Sequence, residues 1–300
     1  CPRRLHGLLR HRHVWLHAMP GVVARVFSEV FSEFGTSKNT LVVAERMLQL
    51  RGSTELRSLH MVCRSLDNAG PLFVSQFVPL SPHIESLSLD LDGEDITDVG
   101  LASLCSLRHC IHLRSCRLDL SHCVNVSSLS GLALLSTAPA LTHLALALRR
   151  CHFNGFELQQ VSRLVDHARS LQSLTVDLGG NPLYSVVLDA LFTAVRDHPT
   201  LDHFHVVLTH CCITPHLATS FRLLHRAGRL RDLHVELPHA LRGDGAFSLV
   251  LDGLWGMPKL ERLQLHLSGL TATVLRLHQM HLFVESRRRS GHSTPCMTVP

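Results

Sequence analysis

The sequence predicts an α/β solenoid, a stack of strand–helix units, on three observations. The apolar pattern L-x-x-L-x-L-x-L recurs eight times at intervals of 28 to 30 residues, beginning at Leu56, Ile84, Leu113, Leu141, Leu171, Leu201, Leu230 and Leu260. All 32 positions in slots one, four, six and eight are apolar, with cysteine counted as a small hydrophobe. Of the 32 positions in slots two, three, five and seven, only Val62, Ala145, Ala147 and Val207 are apolar. A chain that is 45% hydrophobic does not segregate in this way by chance, and a fixed period in this range signals stacked repeats. Within each block the alternation after slot four marks a short strand with one buried face. A helical stretch follows each strand.

The elements follow in order. Residues 1–55 are expected to form an N-terminal helical cap that includes the run Thr40 to Leu48. Residues 56–270 form the solenoid. After each strand, slot eleven and the apolar residue two places on make a turn: Glu94-Asp95-Ile96, Cys151-His152-Phe153, Asn181-Pro182-Leu183 and Cys211-Cys212-Ile213. In the second repeat Thr97 reads as a helix N-cap, with Asp98 in the favourable first turn. Leu158, Val161, Leu164 and Val165 recur at helical spacing in the fourth repeat, as do Val187, Leu188, Leu191 and Val195 in the fifth. Pro139, Pro199, Gly228 and Pro258 end the helices just before the next strand. Residues 271–300 read as a C-terminal cap helix and a mobile basic tail carrying Arg287-Arg288-Arg289.

Cys123, Cys151 and Cys211 share slot eleven of their repeats, and Asn181 takes it in another. Residues in one slot stack along the array about 4.8 Å apart, so each thiol or amide is placed to bond backbone where the strand turns. The L-x-x-L-x-L frame, this Cys/Asn slot and the run from Ile96 to Leu104 resemble the leucine-rich repeat family, in its longer ribonuclease-inhibitor-like subtype. The resemblance covers about 70% of the chain. It departs from the family in placing Cys/Asn two residues later, after an extra leucine in slot eight. The first, second, seventh and eighth repeats lack Cys/Asn there. It implies a right-handed curved solenoid of about eight repeats, with parallel strands on the concave face and helices on the convex one. Bottom-up physics agrees, because one strand–helix unit cannot bury its own apolar face.

Composition excludes several classes. Forty-five percent apolar and 18% charged residues make a globular chain. A net charge of +5 is modest for this length, and nucleic-acid binders carry a denser basic stripe, so no nucleic-acid partner is expected. No apolar run is long enough for a membrane span. The chain begins at Cys1 and reads as a fragment or a processed product. Its opening is too polar for a secretion signal. Arginines without an acidic residue before Glu29 fit a transit peptide as well as a plain basic segment. Ten cysteines would suit a disulfide framework, but Cys63 and Cys116 fall in interior strand slots. Stacked buried thiols imply a reducing intracellular compartment, cytoplasm or nucleus, or else an organelle.

The outward strand slots carry the candidate site. Slot seven runs Val62, Asp90, Asp119, Ala147, Asp177, Val207, Glu236, His266; slot five runs His60, Ser88, Arg117, Ala145, Thr175, His205, His234, Gln264. An acidic column beside a mixed polar one suits a basic or polar protein ligand, whereas a merely solvated face would also be polar. His205 and His234 share slot five of adjacent strands, Asp232 lies across from His203, and His266 lies across from Glu236. Imidazoles beside carboxylates can bind a transition metal or titrate near neutrality. With 24 histidines such pairs are expected somewhere, and no metal ligand or cofactor is assigned. No Gly-rich phosphate loop, G-x-S-x-G elbow or H-E-x-x-H occurs, and no catalytic residue or small-molecule substrate is expected.

The expected function is a non-enzymatic protein-interaction module that binds a protein partner on the concave face through Asp90, Arg117, Asp119, Asp177, His205, His234 and Glu236. Alternatives are a substrate adaptor of a ubiquitin ligase or a structural subunit of a large assembly. The adaptor reading rests on Met19 to Phe27, which loosely resembles an F-box opening without its acidic residue.

Overall fold

The computed structural model describes residues 56–267, apart from 64–65, 79–82, 94, 154, 238, 242–243 and 256, together with the backbone strand His13–His17. The remainder of the expected N-terminal cap and the whole of 271–300 lie outside the described residues. The chain divides into two units, residues 1–146 and 147–300. Both are built from the same α/β solenoid layer.

In the first unit the strands are β1 (His13–His17), β2 (Ser58–Val62), β3 (Ser86–Asp90), β4 (Ser115–Asp119) and β5 (His143–Ala147), which ends at the division. They lie side by side in sequence order. β1 pairs in parallel with β2, so the segment ahead of the first repeat contributes a strand to the sheet edge. Ser58 lies opposite Ser86, which lies opposite Ser115, so the slot alignment read from the sequence is the observed register. Helices α1 (Ala69–Phe77), α2 (Asp98–Ser103) and α3 (Ser130–Ala133) return the chain.

The second unit holds β6 (Ser173–Asp177), β7 (His203–Val207), β8 (Asp232–Glu236) and β9 (Arg262–His266), again parallel and in sequence order. Its helices are α4 (Gly155–His167), α5 (Ser185–Asp197), α6 (Pro215–Ala218) and α7 (Asp244–Trp255). Among the described residues no helix is long and apolar enough to cross a membrane.

Returning elements differ among the repeats, and the 28-residue repeat from Leu56 returns through the nine-residue α1. The 30-residue repeats that begin at Leu141, Leu171 and Leu230 carry α-helices of 13, 13 and 12 residues. The shorter repeats from Ile84, Leu113 and Leu201 use a brief α-turn followed by 3-10 helix at Leu104–His109, Leu134–Thr137 and Thr219–Arg226. A 3-10 helix rises about 2.0 Å per residue against 1.5 Å for an α-helix, so fewer residues cover the return.

The core is the stack of slots four, six and eight packed against the apolar faces of the helices. Leu59, Met61, Leu118, Val176, Val206 and Val235 are all essentially inaccessible. In the second unit Phe192 meets Phe204 edge-on at 6.2 Å and Phe221 at 4.9 Å. Gly131 of α3 sits so close to the neighbouring repeat that an added Cβ would lie 2.7 Å from the Ala102 Cα.

Slot eleven behaves as its chemistry predicts. The Cys123 thiol donates to the Leu91 carbonyl one repeat back at 3.1 Å, and the Cys211 thiol to that of Leu178 at 3.3 Å. Asn181 does both jobs: its Nδ2 donates to Leu148 and Leu178, and its Oδ1 accepts the Cys151 N–H at 3.1 Å. All eight described cysteines carry thiols. Burial pushes Cys116 and Cys211 up to about 12 and Cys110 up to about 11, so these groups stay protonated.

One local reading changes and another holds with an added role. Thr97 precedes α2 in extended conformation but makes no capping bond with its hydroxyl. Asn68, one repeat earlier, holds both that hydroxyl and the Thr97 N–H, at 3.1 and 2.9 Å. Asp98 does begin α2, yet its carboxylate serves the next repeat, accepting the N–H groups of Ser127 and Ser128 at 2.8 Å each. Neighbouring repeats thus cap one another.

Buried His198 ties two repeats together. Its Nε2 contacts the Ala168 carbonyl at 3.0 Å, and its Nδ1 accepts the N–H groups of Thr200 and Leu201. This pattern requires a neutral ring with the proton on Nε2. Burial, the largest influence, holds its pKa below the ordinary 6.5. In the unfolded chain the ring protonates near 6.5, so its stabilising share is complete above that value and is lost as pH falls below it. We expect the melting temperature of the wild type to fall more between pH 7 and pH 5 than that of His198→Asn, which keeps an acceptor for the two N–H groups. Equal falls would show that His198 does not titrate with folding.

Leu146 in β5 is 1% exposed. Leu146→Asp sets an unpaired charge in a stacked layer, at a cost on the order of 3 kcal/mol or more. Thermal unfolding followed by circular dichroism is expected to broaden and shift downward. A single transition at the wild-type temperature would refute this register.

Candidate functional site

Apart from buried Val62, the outward slots of both units are half-buried or exposed while their neighbours are buried, so each unit presents one open, polar face. A parallel sheet is usually covered on both faces. In the first unit this face carries Asp90 opposite Asp119, with exposed Arg117 two residues before Asp119 on β4 and in register with Ser88. In the second it carries Asp177, His205, His234 and Glu236.

The acidic column has a second role that the sequence reading missed. Asp90 Oδ1 accepts the N–H of Asp92 at 3.2 Å, Asp119 Oδ1 that of Ser121 at 3.1 Å, and Asp177 Oδ1 that of Gly179 at 2.9 Å. Each is an Asx-turn, in which the side chain closes the chain reversal two residues on. The signal was present, since aspartate sits at the last strand position before a turn. With or without an Asx-turn, slot ten lies in the left-handed region at Gly93, His122, Arg150, Gly180, His210 and His239, with φ between 50° and 71°. Histidine tolerates that region better than most residues, which accounts for three of the chain's histidines. His210 and His239 stack there at 5.1 Å.

Glu236 departs from the column. Slot nine of its repeat is Pro238, which has no N–H to offer a side-chain acceptor. Its carboxylate turns instead to the histidines of the adjoining strands. Glu236 Oε1 lies 2.9 Å from His205 Nε2 and 3.6 Å from His234 Nε2, and its Oε2 lies 3.9 Å from His266 Nδ1. The His205 and His234 rings stack 4.0 Å apart and are nearly parallel, at 7°. Burial, aided by the neighbouring His205 imidazole, holds the His234 pKa below the ordinary histidine value against the pull of Glu236.

Beside this group runs a charged row in slots two and three. His203 bridges Asp202 at 2.5 Å and Asp232 at 2.6 Å, and Asp232 also receives both Nε and Nη2 of Arg262. Sequence reasoning placed His203 and Asp232 opposite each other but passed over Arg262. The same slot arithmetic sets it one strand further on. Its guanidinium pKa is raised by these hydrogen bonds to Asp232. A shallow pocket of about 210 Å³ opens over β7–β9, lined by His203, His205, Asp232, His234, Arg262 and Gln264 among others. The seven expected site residues therefore do not form one cluster. His205, His234 and Glu236 touch one another. Asp90, Asp119 and Asp177 each hold a turn of their own, and Arg117 stands outward on β4.

No protein-family model matches the chain, and no curated protein matches it in sequence. Among solved structures it is similar to internalin C2 of Listeria monocytogenes, at 12% identity over 71% of this chain and 72% of that one, with a TM-score of 0.36. A Bacteroides fragilis protein from a structural-genomics consortium is 13% identical over 92% of this chain and 72% of its own, with a TM-score of 0.37. Yeast Rad7, solved in complex with Elc1, is 19% identical over 76% of this chain and 59% of its own, with a TM-score of 0.37. The chain has a leucine-rich-repeat-type fold, which its own slots and register establish.

The Asx-turns separate charge from architecture. Asp177→Ala removes the acceptor for the Gly179 N–H and should cost about 1 kcal/mol in urea unfolding. Asp177→Asn keeps the acceptor and removes the charge, including the long pair with half-exposed Arg149 at 3.6 Å, costing less than about 0.5 kcal/mol. Equal losses would show that the turn bond contributes nothing.

Proposed function

We propose that this chain is a non-enzymatic protein-interaction module whose partner docks on the open polar face of the sheet. The observation that carries the reading is that face itself: parallel strands covered by helices on one side and left open, charged and half-buried on the other. A polar or basic protein surface complements the aspartate column. Each of those side chains already has one oxygen committed to a turn, so the charge is held in a fixed direction without loss of further side-chain entropy on binding. Charges so placed govern specificity and association rate more than affinity. The repeat length of 28 to 30 residues and the α-helical returns support the ribonuclease-inhibitor-like subtype. The slot-eleven thiols support a reducing compartment, because they donate hydrogen bonds only while reduced.

The test uses variants that keep the turns. Asp90→Asn, Asp119→Asn and Asp177→Asn together remove three charges while leaving each acceptor in place. The wild type and this triple variant, matched in melting temperature, are compared in capture from native lysate. A protein held by the wild type, lost by the variant and released by salt is the expected outcome. Identical capture by both would overturn the open face as the binding surface.

A further inference from the structure

We infer that His205, His234 and Glu236, with His266 adjoining, form a binding site for one divalent transition-metal ion of the zinc class. The inference is independent of the docking surface proposed above. One donor atom from each of the three side chains lies within 4.8 Å of the other two. Two donors bound tetrahedrally at 2.0–2.1 Å from one ion stand about 3.3 Å apart. The observed separations from Glu236 Oε1, 2.9 Å to His205 Nε2 and 3.6 Å to His234 Nε2, bracket that value.

The donor set is right for the ion. Two imidazoles and one carboxylate are the protein ligands of an open zinc site, which leaves a fourth position to water or another donor. His266 Nδ1 lies 3.9 Å from the second oxygen of Glu236. Only His205 is within hydrogen-bond reach of the carboxylate, at 2.9 Å; His234 and His266, at 3.6 and 3.9 Å, stand at ion-pair distance and are not held to it by hydrogen bonds. Nor is Glu236 needed by its own turn, where Pro238 supplies no N–H.

The supporting frame is rigid where it must be. His205 and His234 are paired in register on β7 and β8, and Glu236 lies two residues beyond His234 on the same face of β8. The neighbouring cation, Arg262, is bound by both oxygens of Asp232. The three donor side chains are 25% to 31% exposed, shielded yet open to an entering ion. In the ion-free stack the two imidazoles are parallel. Bringing their lone pairs to one point needs rotation about χ2, a broad and soft torsion for histidine.

The test is titration of the full chain, stripped of metal, with ZnCl2 by calorimetry and with CoCl2 by visible absorption. Because 24 histidines give background uptake, the readout is the difference between variants. The wild type and His167→Gln, an exposed helix position outside the cluster, are expected to bind one ion alike. His234→Gln and Glu236→Gln should each bind it at least about tenfold more weakly and lose the tetrahedral-type cobalt band. Zinc should also raise the melting temperature of the wild type more than that of either variant. Equal affinity and equal thermal shift across all four proteins, or no uptake by the wild type, would overturn the site. The melting temperatures of the ion-free proteins report whether each variant is folded, and His205→Gln replaces one that is not.

Discussion

Each strand of this chain buries its inward slots only if the next strand arrives in the same register. A slip of one residue would turn Leu118 and Leu120 to solvent and press Arg117 and Asp119 into the core. No repeat buries its own apolar face, so the constraint passes from layer to layer. It is met by the pairings of Ser58 with Ser86 and Ser115 in one unit, and of Ser173 with His203, Asp232 and Arg262 in the other. Everything chemical on the open face follows from it, because register decides which side chains become neighbours.

Register alone leaves the strand ends to be turned, and three devices do this within five residues. Aspartate at slot seven accepts the N–H two residues on. Slot ten takes positive φ. Slot eleven sends a thiol or amide back to the carbonyl of slot eight. All three coincide at Asp119, His122 and Cys123, where the left-handed residue costs roughly 1–2 kcal/mol and persists because its surroundings hold it. At His122, His210 and His239 the cost is accepted without glycine, with Asp92 reaching His122 at 2.7 Å and the latter two rings stacked.

The inward slots were legible in the sequence because alternation and a 28–30-residue period are independent of anything outside the repeat. The long helices were legible for the same reason, as at Val187, Leu188, Leu191 and Val195 of α5. Contacts between repeats were harder to see. Thr97 has the composition of an N-cap, yet Asn68, 29 residues earlier, occupies its hydroxyl. An aspartate at slot seven reads alike whether it faces a ligand or its own backbone, and only geometry separated the two. His205 and His234 were legible as neighbours, but the turn of Glu236 toward them was not.

That turn repays comparison with its counterparts. Asp177 and Glu236 occupy the same slot two strands apart, one methylene different in length and followed two residues later by Gly179 and Pro238. Glycine there offers an N–H, and the shorter side chain takes it at 2.9 Å. Proline offers none, and the longer side chain reaches along the face to His205 instead. Two coupled differences thus change a structural carboxylate into one available to the surface. In a repeat array this is how a site arises: the common role of a slot is suspended in one layer, and the side chain so released meets whatever the register has placed beside it.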